Sequence, residues 1–559
     1  VGAIKNDGNG NDSGHVKVYQ YNSSNNSWSQ LGSNIDGEAA NDQSGFSVSL
    51  SNDGSIVAIG ARWNDGPSSS SSDNRGHVRV YEYKIPSQSE WNISNDEADG
   101  YVLKGDDAGN ANPTSNTKYW VKLGGDIDGG EDQGATGDES GYSVSLSSNG
   151  SIVAIGAIYN DGGSNPNNNR GQVRVYEYKI PSQAQWNITD YWDRPDGYVL
   201  KGDDAGNANP TSNTKYWVKL GDDRDLDGFS GSESGYSVSL SSNGSIVAIG
   251  APKLDYNWQL DVGEVRVYEY SSGSWSQLGS DIFGEGGADE WGGSVSLSSN
   301  GAIVAVGAIK NDGNGNHSGH VRVYKKVSIT TTNTTTINIG TNVTVPISSL
   351  AHELKQNDII VFSNGAELTL TSNASASATS LTGNLTEQSI LSALEGNTWT
   401  KFGDDIDGEA GGDESGHSVS LSSDGSRVAI GAHKNDGNGS DSGHVRVYEY
   451  NSSNNSWTKL GYDIDGEAAN DEFGNSVSLS SDGTRVAIGA LYNDAGNAST
   501  DNRGHVRVFS FGGSAIKNGH ISNFDYTPIS ANTGIFGSVS NRKEHHDDWQ
   551  EGPIVGIAS

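Results

Sequence analysis

Short runs of alternating and continuous hydrophobic positions recur along the whole chain. One unit opens with GHSVSLSSDGSRVAIGA at Gly416–Ala432, in which SVSLS alternates apolar and small polar residues and VAIGA is continuously apolar. Strict alternation predicts a half-buried strand, and a short unbroken apolar run predicts a strand covered on both faces. The unit continues through HKNDGNGSDSG into HVRVYEY, a second alternating run ending at Tyr450, and then into SWTKLG, ending at Gly461. These four signals are strands A, B, C and D. Ser-Ser-Asp-Gly or Ser-Ser-Asn-Gly joins A to B, and its last two residues suit a tight hairpin turn with positive φ.

The pattern repeats. The alanine closing strand B recurs at Ala3, Ala61, Ala157, Ala251, Ala308, Ala432 and Ala490, at intervals of 58, 96, 94, 57, 124 and 58 residues. The period is therefore about 58, interrupted by three insertions between strands C and D. Four antiparallel strands per unit, seven times over, predict an all-β fold, a seven-bladed β-propeller of four-stranded antiparallel blades. The expected layout is blades 1–5 over 1–326, with hairpin insertions at about 84–120 and 179–217. A small inserted β-domain over 327–397, blades 6 and 7 over 398–511, and a tail over 512–559 complete it. The chain opens at Val1 in mid-unit, which predicts a processed chain or a fragment. Its ring would be closed by segments upstream or by the tail, where Phe536–Ser540 resembles strand A and Ile554–Ala558 strand B.

The G-x-S-V…V-A-I-G-A…G-H-V-R-V-Y grammar resembles the FG-GAP repeat of integrin α-subunit propellers, and less closely the WD repeat. The resemblance covers about 430 residues and implies a seven-bladed propeller, with little said of activity. FG-GAP repeats often carry a calcium loop between strands A and B. Here that loop is the short turn Ser422–Gly425, with too few carboxylates for the six to eight oxygens calcium takes. The whole chain is also similar to repeat proteins of marine microbes and their phages. The stretch NDIIVFSNGAELTLTSNASASATSLTG resembles small β-domains of phage virion proteins, which implies a virion or extracellular setting.

Composition narrows the function classes. With 70 Asp and Glu against 35 Lys and Arg, the net charge is −35. Such a chain lacks the cationic groups that displace counterions from phosphates, so nucleic acid is excluded as a partner, as is an anionic membrane. With no Cys there is neither a disulfide framework nor a thiolate site. The 13 Trp and 23 Tyr exclude a disordered acidic tail.

In an A-B-C-D meander the A–B and C–D connections share one face and the B–C and D–A connections the other. All three insertions thus project from one face, where binding usually resides. Their aromatic residues Trp91, Tyr101, Tyr119, Trp120, Trp186, Tyr198, Tyr216 and Trp217 are the candidate contacts for a host-surface glycan, a receptor or neighbouring copies. The other face gathers acidic loops. Asp405, Asp407, Glu409 and Asp413 form one set, and Asp463, Asp465, Glu467 and Asp471 another. Either set supplies the oxygens of a calcium site, or turn residues bonded to their own backbone. His545, His546, Asp547 and Asp548 are metal-compatible, although neighbours in an extended segment point apart. His15, His77, His320, His444 and His505 recur at one position of strand C, which points to a structural bond with a neighbouring blade.

The chain contains no nucleophile elbow, no His-Glu-x-x-His and no phosphate loop. The expectation is a non-enzymatic extracellular or virion-surface protein for recognition or assembly. A calcium-dependent lectin is one alternative. A polysaccharide-degrading propeller is the other, and it would need one cluster of His, Tyr, Arg or carboxylates near the axis that breaks the repetition.

Overall fold

A computed structural model describes residues 1–66, 74–93, 101–130, 137–161, 168–188, 199–201, 207, 209–211, 213–221, 226–327, 398–494 and 503–511. It also describes short strands at 330–332, 343–345, 359–361, 367–369, 381–383 and 526–528. The protein is a seven-bladed β-propeller. Blade 3 is representative: Ser140–Leu146, Ile152–Ala157, Gln172–Lys179 and Tyr216–Lys219 pair in chain order, all antiparallel. Beyond strand D, the two residues Leu226–Asp227 return to pair with the start of strand C. The Ile-Asp-Gly segments of blades 1, 2, 5 and 6 make the same return, as Asp128 opposite His77 and Asp465 opposite His444, and Ile282–Phe283 does so in blade 4.

Strand B is the buried centre of each blade. Val57, Ala58, Ile59 and Ala61 are all at most 1% exposed. Its alternate residues serve two different layers. Val304 and Val306 of blade 5 pack on Ile246, Ala248, Val265 and Val267 of blade 4. Ile303 and Ala305, with Val321 and Val323 of strand C, pack on Leu421, Val428 and Ile430 of blade 6. The core is therefore a series of layers between blades. The glycine of each Ile-Gly-Ala lies where the next blade comes closest: a Cβ on Gly156 would sit 2.1 Å from the carbonyl oxygen of Gly235.

The polar positions of strand A also face neighbours. Ser143 Oγ donates to the carbonyl of Gly235 at 2.7 Å, and Ser145 Oγ accepts the amide of Leu240 at 3.0 Å. The same pair of bonds recurs from blade 2 to blade 7. In the A–B turns the amides of Asn52, Ser148, Ser242, Ser299 and Ser423 each donate to the next blade's turn carbonyl at 2.8–2.9 Å. Around the axis these turns and six leucines, Leu50 to Leu479, line a cavity of about 160 Å³.

Two insertions return along the outside of their blades. Gln88–Trp91 and Gln183–Trp186 are single helical turns closed by reciprocal capping boxes, Ser87 with Glu90 and Ser182 with Gln185. Val102 and Val199 then bridge to Val121 and Val218 of strand D. In the segment 327–397, strand 359–361 pairs with 330–332 and 367–369, and 343–345 pairs with 381–383. Tyr526–Pro528 pairs with Phe509–Phe511 and supplies blade 7 with an outer strand. The tail segments 536–540 and 554–558, and His545–Asp548, lie outside the described residues.

Candidate functional site

The aromatic residues of the insertions are not on display. Trp91, Trp120, Trp186 and Trp217 are at most 2% exposed, and Tyr119 and Tyr216 are buried beside them. Trp120 and Trp217 are the strand-D tryptophans of their blades. Trp217 donates its indole N–H to the carbonyl of Leu123 in the preceding blade at 2.7 Å, and Trp120 donates to Leu31 at 2.9 Å. Trp275, Trp399 and Trp457 make the same bond one blade further on each time. Trp91 and Trp186 anchor the helical turns against Tyr119 and Tyr216, with ring centroids 5.1 Å apart. Tyr101 is half-buried and Tyr198 lies outside the described residues. The six buried rings are thus fasteners, because each is consumed by its own blade or the one before.

The acidic sets are dispersed as well. Burial alone would raise the Asp405 carboxyl, but hydrogen bonds from Arg322 and Lys401 outweigh it and hold the group at about 2. Asp413 and Asp471 are buried; each accepts a backbone amide of its own loop and the side-chain amide of Asn435 or Asn493, at 2.9–3.0 Å. Glu409 pairs with Arg446 at 3.4 Å and Glu467 with Arg507 at 3.4 Å, each across a blade boundary. Asp463 pairs with Lys459 at 2.9 Å. The carbonyls of Asp407 and Asp465 accept from those same arginines at 2.9 and 2.8 Å. Neither loop gathers its four carboxylates around one point. The strand-C histidines belong to the same clasp: His77 lies 3.6 Å from Glu38 and His444 3.9 Å from Glu409, both of the preceding blade. Burial first, then the neighbouring Arg446, brings His444 down to about 4.

Among the described residues of the B–C/D–A face, two places stand out from the repetition. The first is the B–C loop of blade 4, where Lys253–Gly263 reads KLDYNWQLDVG instead of the KNDGNG pattern. In blades 1, 5 and 6 the loop is hooked down by an asparagine: Asn438, for one, donates to the carbonyls of Gly466 and Glu467 at 2.9 and 3.0 Å. In blade 4 the loop instead makes its own hairpin, in which Tyr256 and Gln259 exchange two backbone hydrogen bonds of 3.0 Å. The central residues Asn257 and Trp258 stand at φ of 51° and 66°, the type I′ pattern. Trp258 is 105% exposed and Leu260 is 70% exposed. Tyr256 stacks on Phe283 at 4.1 Å, and exposed Phe229 lies under the Arg266 guanidinium at 4.5 Å. A bulky side chain at positive φ is an uncommon, strained choice.

The second is an axial cluster where the inner strands begin. Gln43, Glu139, Glu233, Glu290, Glu414 and Glu472 occupy one position in six units, all at φ between 50° and 53°. Each donates its amide to a B–C loop carbonyl at 3.1–3.2 Å. Around this common frame the side chains differ. Phe46, Tyr142 and Tyr236 form a row with centroids 5.0 and 4.9 Å apart, with Arg62 3.9 Å over the Phe46 ring. On the opposite arc the same strand position holds His417 and Asn475, and His417 packs against His433 at 3.9 Å. Burial, reinforced by Asp441 and Glu414 and opposed by Lys434, pushes Glu472 up to about 7. Burial likewise raises Glu233 to about 6, with Lys253 opposing. Both places were missed from the sequence, although their signal was there: a residue that departs from the consensus of its own repeat.

Residues 405–448 and 464–509 match the FG-GAP repeat. No curated protein matches the chain. Among solved structures it is similar to a candidate 6-phosphogluconolactonase of Bacteroides uniformis, at 10% identity and a TM-score of 0.36 over 89% of this chain and 88% of that one. It is similar to the periplasmic gluconolactonase PpgL of Pseudomonas aeruginosa at 12% identity, TM-score 0.36 and the same coverage. The β-propeller domain of Cps50 (Swd1) of Myceliophteria thermophila aligns at 10% identity and TM-score 0.33, over 89% of this chain and 99% of that one. The chain is a propeller that carries FG-GAP repeats. Among the described residues no helix is long and apolar enough to cross a membrane.

Proposed function

We propose that this protein is a non-enzymatic extracellular recognition propeller that engages a protein receptor through the B–C/D–A face of blade 4. The observation that carries the reading is Trp258, wholly exposed at a hairpin tip where glycine would be the better-fitting residue. Nothing in the fold of the loop calls for an indole there, and Trp is the residue type most enriched among interface hot spots. Leu260, Tyr256 and Phe229 extend the apolar patch, and the acidic loops around it favour a partner with an apolar pocket and a basic rim. The FG-GAP repeats support both the recognition role and the extracellular setting.

The test is binding of the labelled full chain to candidate host surfaces, for wild type and Trp258→Gly. Loss of binding in the variant, and after protease treatment of the surface, supports the reading. Undiminished binding by the variant overturns it. Loss after periodate but not after protease would replace the protein receptor by a glycan. A propeller enzyme acting on a polysaccharide remains a second reading, favoured by one observation: the axial cluster with Glu472 raised to about 7. Release of reducing ends, abolished in Glu472→Gln, is its test.

A further inference from the structure

The axial cluster has chemistry that the recognition reading does not use. In blade 6 the repeat position at the start of the inner strand holds Glu414, the position three residues on holds His417, and the residue after strand B is His433. Candidate donor atoms of the three all lie within 4.8 Å of one another. His433 Nε2 is 3.6 Å from Glu414 Oε2. The His433 side chain is 6% exposed, and its Nδ1 has no hydrogen-bond partner.

The repeat supplies an internal control. The same three positions read Gln43, Phe46, Arg62 in blade 2 and Glu139, Tyr142, Ile158 in blade 3. They read Glu290, Gly293, Ile309 in blade 5 and Glu472, Asn475, Leu491 in blade 7. The backbone frame thus tolerates apolar residues at both histidine positions, and no structural duty of the fold requires imidazole there. Two histidines and a carboxylate brought together in one blade only are a donor set for a borderline-soft divalent ion.

We infer that Glu414, His417 and His433 form a binding site for a divalent transition-metal ion of the zinc class. Tetrahedral coordination places donor atoms about 3.3 Å apart, given metal–ligand bonds of about 2.0–2.1 Å. The donors, within 4.8 Å of one another, must therefore close by at most about 1.5 Å, and Glu414 is only partly buried. Lys434 Nζ, 2.7 Å away, takes the other carboxylate oxygen of Glu414, Oε1, and leaves Oε2 toward His433. Lys434 repels an incoming cation, whereas the carboxylate of Asp441, and that of Glu472 once ionised, attract it. The Asn475 amide, 3.5 Å from His417 Nε2, is the nearest further side chain. Burial keeps both imidazoles neutral, as ligands must be: His417 falls to about 4 and His433 lies well below its ordinary value.

The test is titration of the chelator-stripped full chain with Co²⁺ and then Zn²⁺. One Co²⁺ per chain with visible bands of a low-symmetry, nitrogen-containing site, displaced by Zn²⁺, is expected. His417→Tyr and His433→Ile install residues that other blades carry at those positions; each should weaken binding by about tenfold or more and remove the bands. His444→Gln, matching Gln172 of blade 3, should leave them unchanged, which separates this site from the neighbouring group of Glu409, His444 and Asp463. Bands that survive in both His417→Tyr and His433→Ile, or are absent from the wild type, overturn the assignment. Thermal melts without metal verify the fold of each variant, and His417→Tyr alone decides if His433→Ile does not fold.

Discussion

Trp217 and Trp258 belong to adjacent blades and share nothing but their chemistry. Trp217 is fully buried, donates its N–H to Leu123 of the preceding blade and presses on Gly124, where a Cβ would lie 2.9 Å from the indole ring. Trp258 touches almost nothing and holds a backbone conformation that disfavours it. A residue type that recurs in phase with the repeat is absorbed by blade-to-blade packing. Trp258, out of phase at a hairpin tip of blade 4, is left bare. Aromatic content therefore says little about where this protein binds; position relative to the repeat says more.

Five substitutions sharpen or break that contrast. The largest effect belongs to Trp217→Ala, which should cost about 3–5 kcal/mol in urea unfolding, as for other fully buried large side chains. Trp258→Ala should stay within about 0.5 kcal/mol of wild type in the same experiment, as exposed positions do. Similar losses at the two sites would erase the distinction.

Next comes Glu472→Gln. The folded carboxyl titrates near 7 against 4.5 in the unfolded chain, so the folded state keeps its proton longer. The stability tied to this group is complete below pH 4.5 and is lost as the pH rises through 7. The variant should therefore match wild type at pH 4 and exceed it by about 1–2 kcal/mol at pH 8, after allowance for partial solvent screening. A gain that is equal at both values would mean that the buried charge is not the cause.

Ser143→Ala removes a side-chain donor from the carbonyl of Gly235 and should cost about 1 kcal/mol, readable as a lower urea midpoint. No change would mean that the strand-A serines do not fasten the blades. A last substitution at the hairpin tip should gain stability, as Glu472→Gln does at high pH. Trp258→Gly should raise stability by about 0.5–1 kcal/mol, because Asn-Gly is the preferred pair for a type I′ turn. A loss of stability would show that Trp258 has a structural duty after all.

The blade count, the strand order and the buried centre of strand B were readable as period and polarity. The seven alanines closing strand B and the alternation of SVSLS suffice for that. The candidate site was read less well. Eight insertion aromatics were expected to face a partner, and six of them are buried, because a tryptophan in an exposed-looking loop and one in strand D have the same sequence signature. The eight loop carboxylates were open to two readings, a calcium site or turn residues, and the arginine of the next blade's strand C, which bonds the carbonyls of Asp407 and Asp465, was not foreseen.

What the sequence determined by itself is the local geometry: turns from Asp-Gly and Asn-Gly, strands from alternation, and seven units from one recurring grammar. Those rest on forces within a dozen residues. What only the tertiary structure decided is which side of each strand meets which neighbour. The serines of strand A read as a solvent face, yet they bond inner strands across blade boundaries, some 55 to 125 residues away in sequence. The propeller closes blade against blade, so partners are chosen by the ring and not by the chain. The same closure brings His417 against His433 and leaves Trp258 bare, and neither outcome is written in any one repeat.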